Sequence, residues 1–342
     1  MSSSELPITE PWDGQGIFDW LHPRAIPGVE ASATGPDGTR SFARALSTPF
    51  GPAVFHATWR PGAAQVRLAV TAWPEERPPA AAGLAADGAA RFALGRARRL
   101  FSLDYRAAES QAADAFLSRD PRLAPLVAAT PGIRIPDVLD PAEYLTRVIV
   151  GQQISVAAAT THLARLTARL GQRLPATDPP DNEGGDASPS RWGLTRLFPT
   201  QRAIATGLPV AAPGTPAASD PDRPLRLASR QVATVVRAAQ AVVDGSLDLT
   251  GPLAAARAAL AVLPGIGPWS VEYLAMRALR DPDAWPIGDV ALLKGAERLG
   301  LAASRDLPPG RRHRELAARA EEWAPFRSYA ACHLWAASQG EG

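Results

Sequence analysis

Residues 263–293 read LPGIGPWSVEYLAMRALRDPDAWPIGDVALL, and the rest of the chain is best read outward from them. Pro264, Gly265, Gly267 and Pro268 crowd the six positions from Leu263 to Pro268. Gly265 and Gly267 allow positive φ and close backbone approach. Pro268 suits a first helical turn, where its missing N–H is no loss. Behind them Val271, Leu274, Ala275 and Ala278 repeat at helical spacing and fall on one face. The spacing predicts a tight hairpin between two helices, with free amides at the second helix start that suit an anion such as a phosphate. An ordinary helix corner is the plainer reading of the glycines and prolines alone. Past the helix, Asp289 is the only charge between Asp283 and Lys294.

The chain has 342 residues, 46% of them hydrophobic and 20% charged, with a formal net charge of +2. That length and balance suit two or three globular domains with sizeable cores. Lys294 is the one lysine among 36 basic residues. Arginine forks suit phosphates and stack on bases, although the abundant Ala and Pro beside them point to the base composition of a GC-rich genome. Cys332 is the one cysteine. An intramolecular disulfide framework, a Cys-ligated zinc site and a four-cysteine iron–sulfur cluster are therefore excluded. His22, His56, His162, His313 and His333 lack metal-ligand spacing. The first residues, MSSSELPITEPWDG, show no basic start followed by an apolar run. No apolar stretch reaches the ~18 residues that span a bilayer. The expectation is a cytoplasmic protein with no membrane partner.

Residues 1 to about 105 predict a mixed α and β region. GIFDWLHPRAIPGVE reads as a short helix and turn, and TRSFARAL, GPAVFHATWR and AAQVRLAVTAW alternate as half-buried strands do. PEERPPAAAGLAADG (74–88) reads as a loop, and ARFALGRARRLFSLD returns to helical spacing. From about 106 onward apolar residues repeat at helical period, in QAADAFLSRDPRLAPLVAAT, PAEYLTRVIVG, SVAAATTHLARLTARLG, SRQVATVVRAAQAVVDG and GPLAAARAALAVL. Segments 173–190 and 207–224 are rich in Pro, Gly, Asp and Ser and predict flexible loops.

The order L-P-G-I-G-x-W at Leu263–Trp269, with Asp289 lying 22 residues after Gly267, resembles the helix–hairpin–helix DNA glycosylase superfamily. WAPFRSYAACHLWAAS (323–338) resembles the C-terminal segment of the bacterial 3-methyladenine-DNA glycosylase II family, the AlkA type. YLTRVIVGQQISVAAA resembles its interdomain helix and minor-groove loop, and PWDGQGIFDWL and RARRLFSLD the beginning and end of its N-terminal domain. The resemblance implies an α+β fold. A TATA-binding-protein-like antiparallel sheet with helices (11–105) precedes two mostly helical lobes. One lobe (137–281) carries the hairpin, and the other is built from 106–136 plus 282–338.

The resemblance also implies roles. Gly265, Ile266 and Gly267 would hold DNA phosphates, and the Leu263 and Ile266 carbonyls a monovalent cation, Na+ or K+. Trp269, Tyr273, Trp335 and Trp20 would line the pocket for an extruded base, although core packing is the alternative for each ring alone. Gln152 and Gln153 would enter the minor groove, with Gln153 in the wedge position. Trp269 stands where lysine-bearing members carry their nucleophile. Lys294 lies five residues past Asp289, about 140° around a helix from it. The implied chemistry is therefore monofunctional, with Asp289 stabilising charge at C1′ and orienting or deprotonating a water. As the residue before a helix, Asp289 also reads as a cap. Gly288 departs from the acidic residue or threonine common before that aspartate, and Arg327 reads as a structural ion-pair partner. The expected activity is excision of alkylated purines from duplex DNA by a monomer without an organic cofactor. The rivals are an oxidised-base glycosylase and an inactive DNA-binding protein.

Overall fold

The computed structural model describes residues 2–73, 79–104, 106–175, 188–301 and 306–339. Five strands, β1 Ser2–Pro7, β2 Glu30–Thr34, β3 Arg40–Thr48, β4 Gly51–Trp59 and β5 Gln65–Ala72, form one antiparallel sheet in the order β1-β5-β4-β3-β2. Alternate residues Phe42, Leu46, Phe55, Leu68 and Val70 pack on one face against Ile17, Phe18 and Leu21 of α1 (Gly14–Leu21) and Ala93, Ala97 and Leu100 of α2 (Pro79–Leu100). The opposite face is covered as well, where Ala43, Ala45 and Val54 meet Leu174, Leu194 and Leu197.

Two of the strands carry little periodic signal. SSSELP and EASAT have few large apolar residues, and both lie on sheet edges, where pairing with a neighbour makes the strand. The sheet thus takes in residues ahead of position 11. The stretch 74–88, expected as a loop, is helical from Pro79 onward. Its alanines are strong helix formers, and the helix is anchored on the sheet by its later turns. Of the expected loop 173–190, Leu174 is buried and Arg173 bridges to Arg196, while 176–187 lies outside the described residues. The 207–224 segment contains a one-turn helix, α8 Pro216–Ser219.

The remaining elements are helices: α3 Ala107–Leu117, α4 Ala124–Ala129, α5 Pro141–Gly151, α6 Val156–Leu170, α7 Gln201–Gly207, α9 Ser229–Val243, α10 Leu253–Ala261, α11 Pro268–Arg277, α12 Val290–Arg298, α13 Pro309–Ala320 and α14 Arg327–Gln339. Side-chain caps start several of them: Asp140 for α5, Ser155 for α6, Thr200 for α7. Their apolar faces make two cores. One gathers Leu145, Ile149, Leu166, Val235 and Leu260 with Val271 and Leu274 of α11 and Ala278 at its C-cap. The other gathers Leu117, Leu292, Ala296, Tyr329 and Leu334 with Ala275 and Met276 of α11. Helix α11 is therefore buried on two sides, not on the single face its spacing predicted, and forms the wall between the cores. Among the described residues no helix is long and apolar enough to cross a membrane.

Buried charges tie the sheet to the helices. Arg44 of β3 donates to Glu30 of β2 at 2.5 Å and to Glu143 of α5 at 2.5 Å. Arg147 of α5 closes the ring, reaching Glu30 at 2.8 Å and Glu143 at 2.6 Å. Arg134 donates to the carbonyls of Ser102, Leu103, Thr9 and Pro11, which pins the N-terminal strand to the exit from α2.

Burial alone would raise the Glu30 carboxyl, but the Arg147 and Arg44 charges outweigh it and hold it below its ordinary 4.5. A carboxyl lowered in this way stabilises the fold above its unfolded value and loses that contribution as pH falls through the folded one. Denaturant unfolding should therefore show a midpoint that falls as pH drops below about 4.5. Arg44→Met, which leaves two buried carboxylates sharing the single guanidinium of Arg147, should cost about 3–5 kcal/mol at neutral pH. A variant as stable as the parent would show that the charge ring does not hold the sheet to α5.

Candidate active site and nucleic-acid interface

The hairpin at Leu263–Gly267 closes through the Ile266 amide, which donates to the Leu263 carbonyl at 3.1 Å. The two glycines serve different ends. Gly265 has φ +94°, and a Cβ there would stand 2.1 Å from Thr234 Oγ1. Thr234 itself donates to the Pro264 carbonyl at 3.2 Å, so α9 buttresses the turn. Gly267 does not use positive φ as the sequence reading expected. It is extended, with φ −90° and ψ 171°, and caps α11 without a side chain. A Cβ on Gly267 would meet nothing within 4 Å. The first helical hydrogen bond is Val271 N to Gly267 O at 3.0 Å. The amides of Gly267, Trp269 and Ser270 thus have no partner within the helix, and the helix start at Gly267 and Pro268 is exposed.

The loop after α5 leans on this hairpin. Gln152 Nε2 donates to the Gly265 carbonyl at 3.2 Å and to Ser270 Oγ at 2.9 Å. Gln231 of α9 holds the same loop from beneath, donating to the Ile149 carbonyl at 2.9 Å. Gln153 then turns through φ +62° with its side chain exposed. Of the two glutamines, Gln152 is engaged with the protein and Gln153 is presented to solvent.

Asp289 is half-buried at the start of α12, between exposed Ile287 and Val290. Gly288 before it adopts φ +90°, a conformation open to glycine, which accounts for the residue type there. The Asp289 Oδ1 accepts from the Leu292 amide at 2.9 Å, a helix cap, and from Trp335 Nε1 at 3.1 Å. Its Oδ2 accepts from Trp269 Nε1 at 2.9 Å. Trp269 stacks on Tyr273 with centroids 4.9 Å apart and planes 12° apart. Trp335 meets Tyr273 edge-on at 5.9 Å. The approach of Trp335 depends on Gly295 of α12, where any Cβ would lie 2.0 Å from the Leu334 carbonyl of α14.

The structure thus gathers Asp289, Trp269, Tyr273 and Trp335 into one contact set. Trp20 makes no ring contact with that set among the described residues. Its ring lies under two guanidinium groups, Arg277 at 3.7 Å and Arg24 at 4.8 Å. Arg327 forks onto Asp283 at 2.9 and 2.7 Å, as an ion-pair partner should. Lys294 is exposed on α12. A hollow of about 240 Å³ lined by Phe116, Asp120, Arg319 and Trp323 contains none of the residues around Asp289. Tyr144, 6.1 Å from Tyr273, was not foreseen, because α5 carries no motif to mark it. Arg277 was missed although its signal was present: it follows Trp269 and Tyr273 at intervals of four on one helix. His313 of α13 was also missed; burial and Arg312 lower its pKa, and the Asp289 charge acts in the opposite sense.

A hairpin-bearing helical region behind an α+β domain is a fold this chain shares with solved DNA glycosylases. A 3-methyladenine DNA-glycosylase structure from Archaeoglobus fulgidus superposes with a TM-score of 0.67 at 18% identity, covering 99% of both chains. An 8-oxoguanine glycosylase/lyase from Clostridium acetobutylicum, solved with duplex DNA, gives 0.64 at 14% identity, covering 98% of this chain and 96% of that one. Residues 3–140 match the family model described as the AlkA N-terminal domain. A Mycobacterium tuberculosis (strain H37Rv) protein named "Probable bifunctional transcriptional activator/DNA repair enzyme AlkA" is 32% identical over 335 residues, 97% of this chain and 56% of that protein. The Escherichia coli (strain K12) protein named "DNA-3-methyladenine glycosylase 2" is 30% identical over 212 residues, 61% of this chain and 62% of that protein. The chain is thus similar to AlkA-type proteins along nearly its whole length. It spans less than two thirds of the length of either of these curated relatives.

Gly295→Ala should push α14 away from α12 and draw the Trp335 indole off Asp289, at a cost of about 1–3 kcal/mol. Thermal unfolding would read the loss of stability, and tryptophan fluorescence the changed indole environment. An unshifted melting curve would mean that the two helices do not pack as closely as described.

Proposed function

We propose that the chain is a monofunctional DNA glycosylase that flips an alkylated purine, of the 3-methyladenine or 7-methylguanine kind, out of duplex DNA and hydrolyses its N-glycosidic bond. The observation that carries this reading is the Asp289 carboxylate, held by two indole N–H groups beside a stacked aromatic pair and facing partly to solvent. A carboxylate has about four lone-pair sites. Three are taken by Leu292, Trp335 and Trp269, which leaves one on Oδ2. That is enough to orient one water, while the charge as a whole opposes the positive charge that grows at C1′. The C1′–N bond breaks with its electron pair going to the base, and water then adds to C1′ and gives up a proton.

Trp269 and Tyr273 are already in stacking contact, so the flipped base lies against the outer side of the pair. An alkylated base that carries positive charge gains cation–π attraction there, up to about 2 kcal/mol when desolvated. The hairpin amides grip phosphates, and Gln153 fills the gap left in the duplex, which offsets part of the few kcal/mol that extrusion costs. A monovalent cation on the Leu263 and Ile266 carbonyls belongs to the same proposal, since each carbonyl has a second lone pair beyond any bond it makes. The only lysine stands exposed on α12, and an indole occupies the place of a nucleophilic amine. We take the protein to act as a monomer. The Escherichia coli relative, named for 3-methyladenine, supports the substrate class.

Purified protein on methylated duplex DNA should release free 3-methyladenine and 7-methylguanine and leave the strand intact until base is added. Asp289→Asn should slow release by about 100-fold or more. Strand breaks without added base would overturn the monofunctional reading, and parental rates in the Asn variant would remove Asp289 from the mechanism.

The two hairpin glycines should part company. Gly267→Ala should fold normally and bind all duplexes more weakly, to the same extent whatever their sequence, because a phosphate grip carries no sequence information. Gly265→Ala should lower the melting temperature instead, since its Cβ has no room beside Thr234. Fluorescence anisotropy on several duplexes, alongside thermal melts, separates the two. Sequence-selective loss in Gly267→Ala would contradict the phosphate role.

A further inference from the structure

Arg277 ends α11 with 2% of its surface exposed. It sits four residues after Tyr273 and eight after Trp269, so the three side chains share one side of the helix. Its guanidinium lies 3.7 Å from the centroid of Trp20. Neither Nε nor Nη2, the two donors of its side-on fork, has a hydrogen-bond partner. Among the described residues no carboxylate pairs with it. Its charge acts on Tyr144 and Cys332, and burial pushes both up, the thiol to about 12. Both are therefore neutral at neutral pH and do not pair with the guanidinium. Burying a charge without pairing it is unfavourable. A fixed cation held against the Trp20 ring without a carboxylate, on the side of α11 that carries Tyr273, needs a reason beyond packing.

We infer that Arg277 is a selectivity residue of the cleft, whose charge favours a base that departs as an anion over one that departs neutral. This rests on the glycosylase reading of Asp289. When C1′–N9 of an uncharged purine breaks, the electron pair stays on the base, which leaves as an anion and then takes a proton from water. Positive charge grows on the sugar beside Asp289 while negative charge grows on the base beside Arg277. A purine already cationic through alkylation departs neutral. It gains nothing from Arg277 at the moment of cleavage, and the guanidinium repels it beforehand. The aromatic stack and Arg277 thus pull in opposite directions, the rings towards cationic bases and the arginine towards neutral ones.

The test is single-turnover base release from duplexes carrying either hypoxanthine, an uncharged purine, or 7-methylguanine, a cationic one. The wild type should release both. Arg277→Met should lower the ratio of the hypoxanthine rate to the 7-methylguanine rate by about 10-fold or more, the scale of one charge acting through an effective dielectric of about 20. Arg277→Lys should keep the ratio within about threefold of the parent, because the charge remains. Arg277→Gln reads the same ratio should the Met variant fail to fold. A ratio unchanged in the neutral variants, with both rates falling together, would reduce Arg277 to a packing residue and overturn the inference. A wild type that releases only the cationic base would overturn it as well. A wild type that releases neither base would instead overturn the glycosylase reading, and this inference with it.

Discussion

The carboxylate of Asp289 is fixed by indoles 20 residues before it and 46 residues after it. Trp269 comes from the wall helix α11, and Trp335 from α14. The two can meet on one carboxylate only if α11, α12 and α14 converge at the seam between the two helical cores. Close packing makes them do so. Gly295 lets α12 and α14 touch backbone to backbone, and α11 is buried on both of its sides. The aspartate also caps α12 and so has almost no freedom. A polar group fixed in this way needs no reorganisation to oppose a charge that develops beside it.

Arginine does much of the structural work elsewhere. Arg44 and Arg147 close a buried ring with Glu30 and Glu143 that joins sheet to helix, and Arg134 collects four carbonyls. Each relies on a planar fork with several fixed donors, which lysine does not have. These arginines are packed against carboxylates or carbonyls, whereas Arg277 is buried against the Trp20 ring. Arg134 engages four carbonyls through its two terminal nitrogens, whereas Arg277, among the described residues, has no carboxylate partner and two idle donors.

Much of the plan could be read in the chain. The three strands with clean alternation, the capped helices and the hairpin follow from local rules: period two, period three to four, Gly and Pro at turns. The edge strands β1 and β2 could not be read, because their residues are short or polar and only pairing makes them strands. The first turns of α2 were hidden by prolines that read as a loop. At the site, Asp289, Trp269 and Trp335 lie within recognisable motifs, whereas Tyr144 and Arg277 lie on helices whose pattern reports burial and nothing more. Gly265 and Gly267 look alike in sequence, yet one is forced by a left-handed turn against Thr234 and the other leaves open space before the helix amides.

The sequence by itself determined the local pieces: where helices start, which strands alternate, where a hairpin must turn, and which carboxylate stands free of neighbouring charges. Those depend on backbone conformation and on spacing within a few residues. Only the tertiary structure decided which side chains face one another across the seam, that Gln152 is spent on the hairpin while Gln153 is not, and that a guanidinium lies buried without a partner. Such outcomes depend on contacts between segments tens to hundreds of residues apart, and these are fixed by the joint packing of the cores and not by any local pattern.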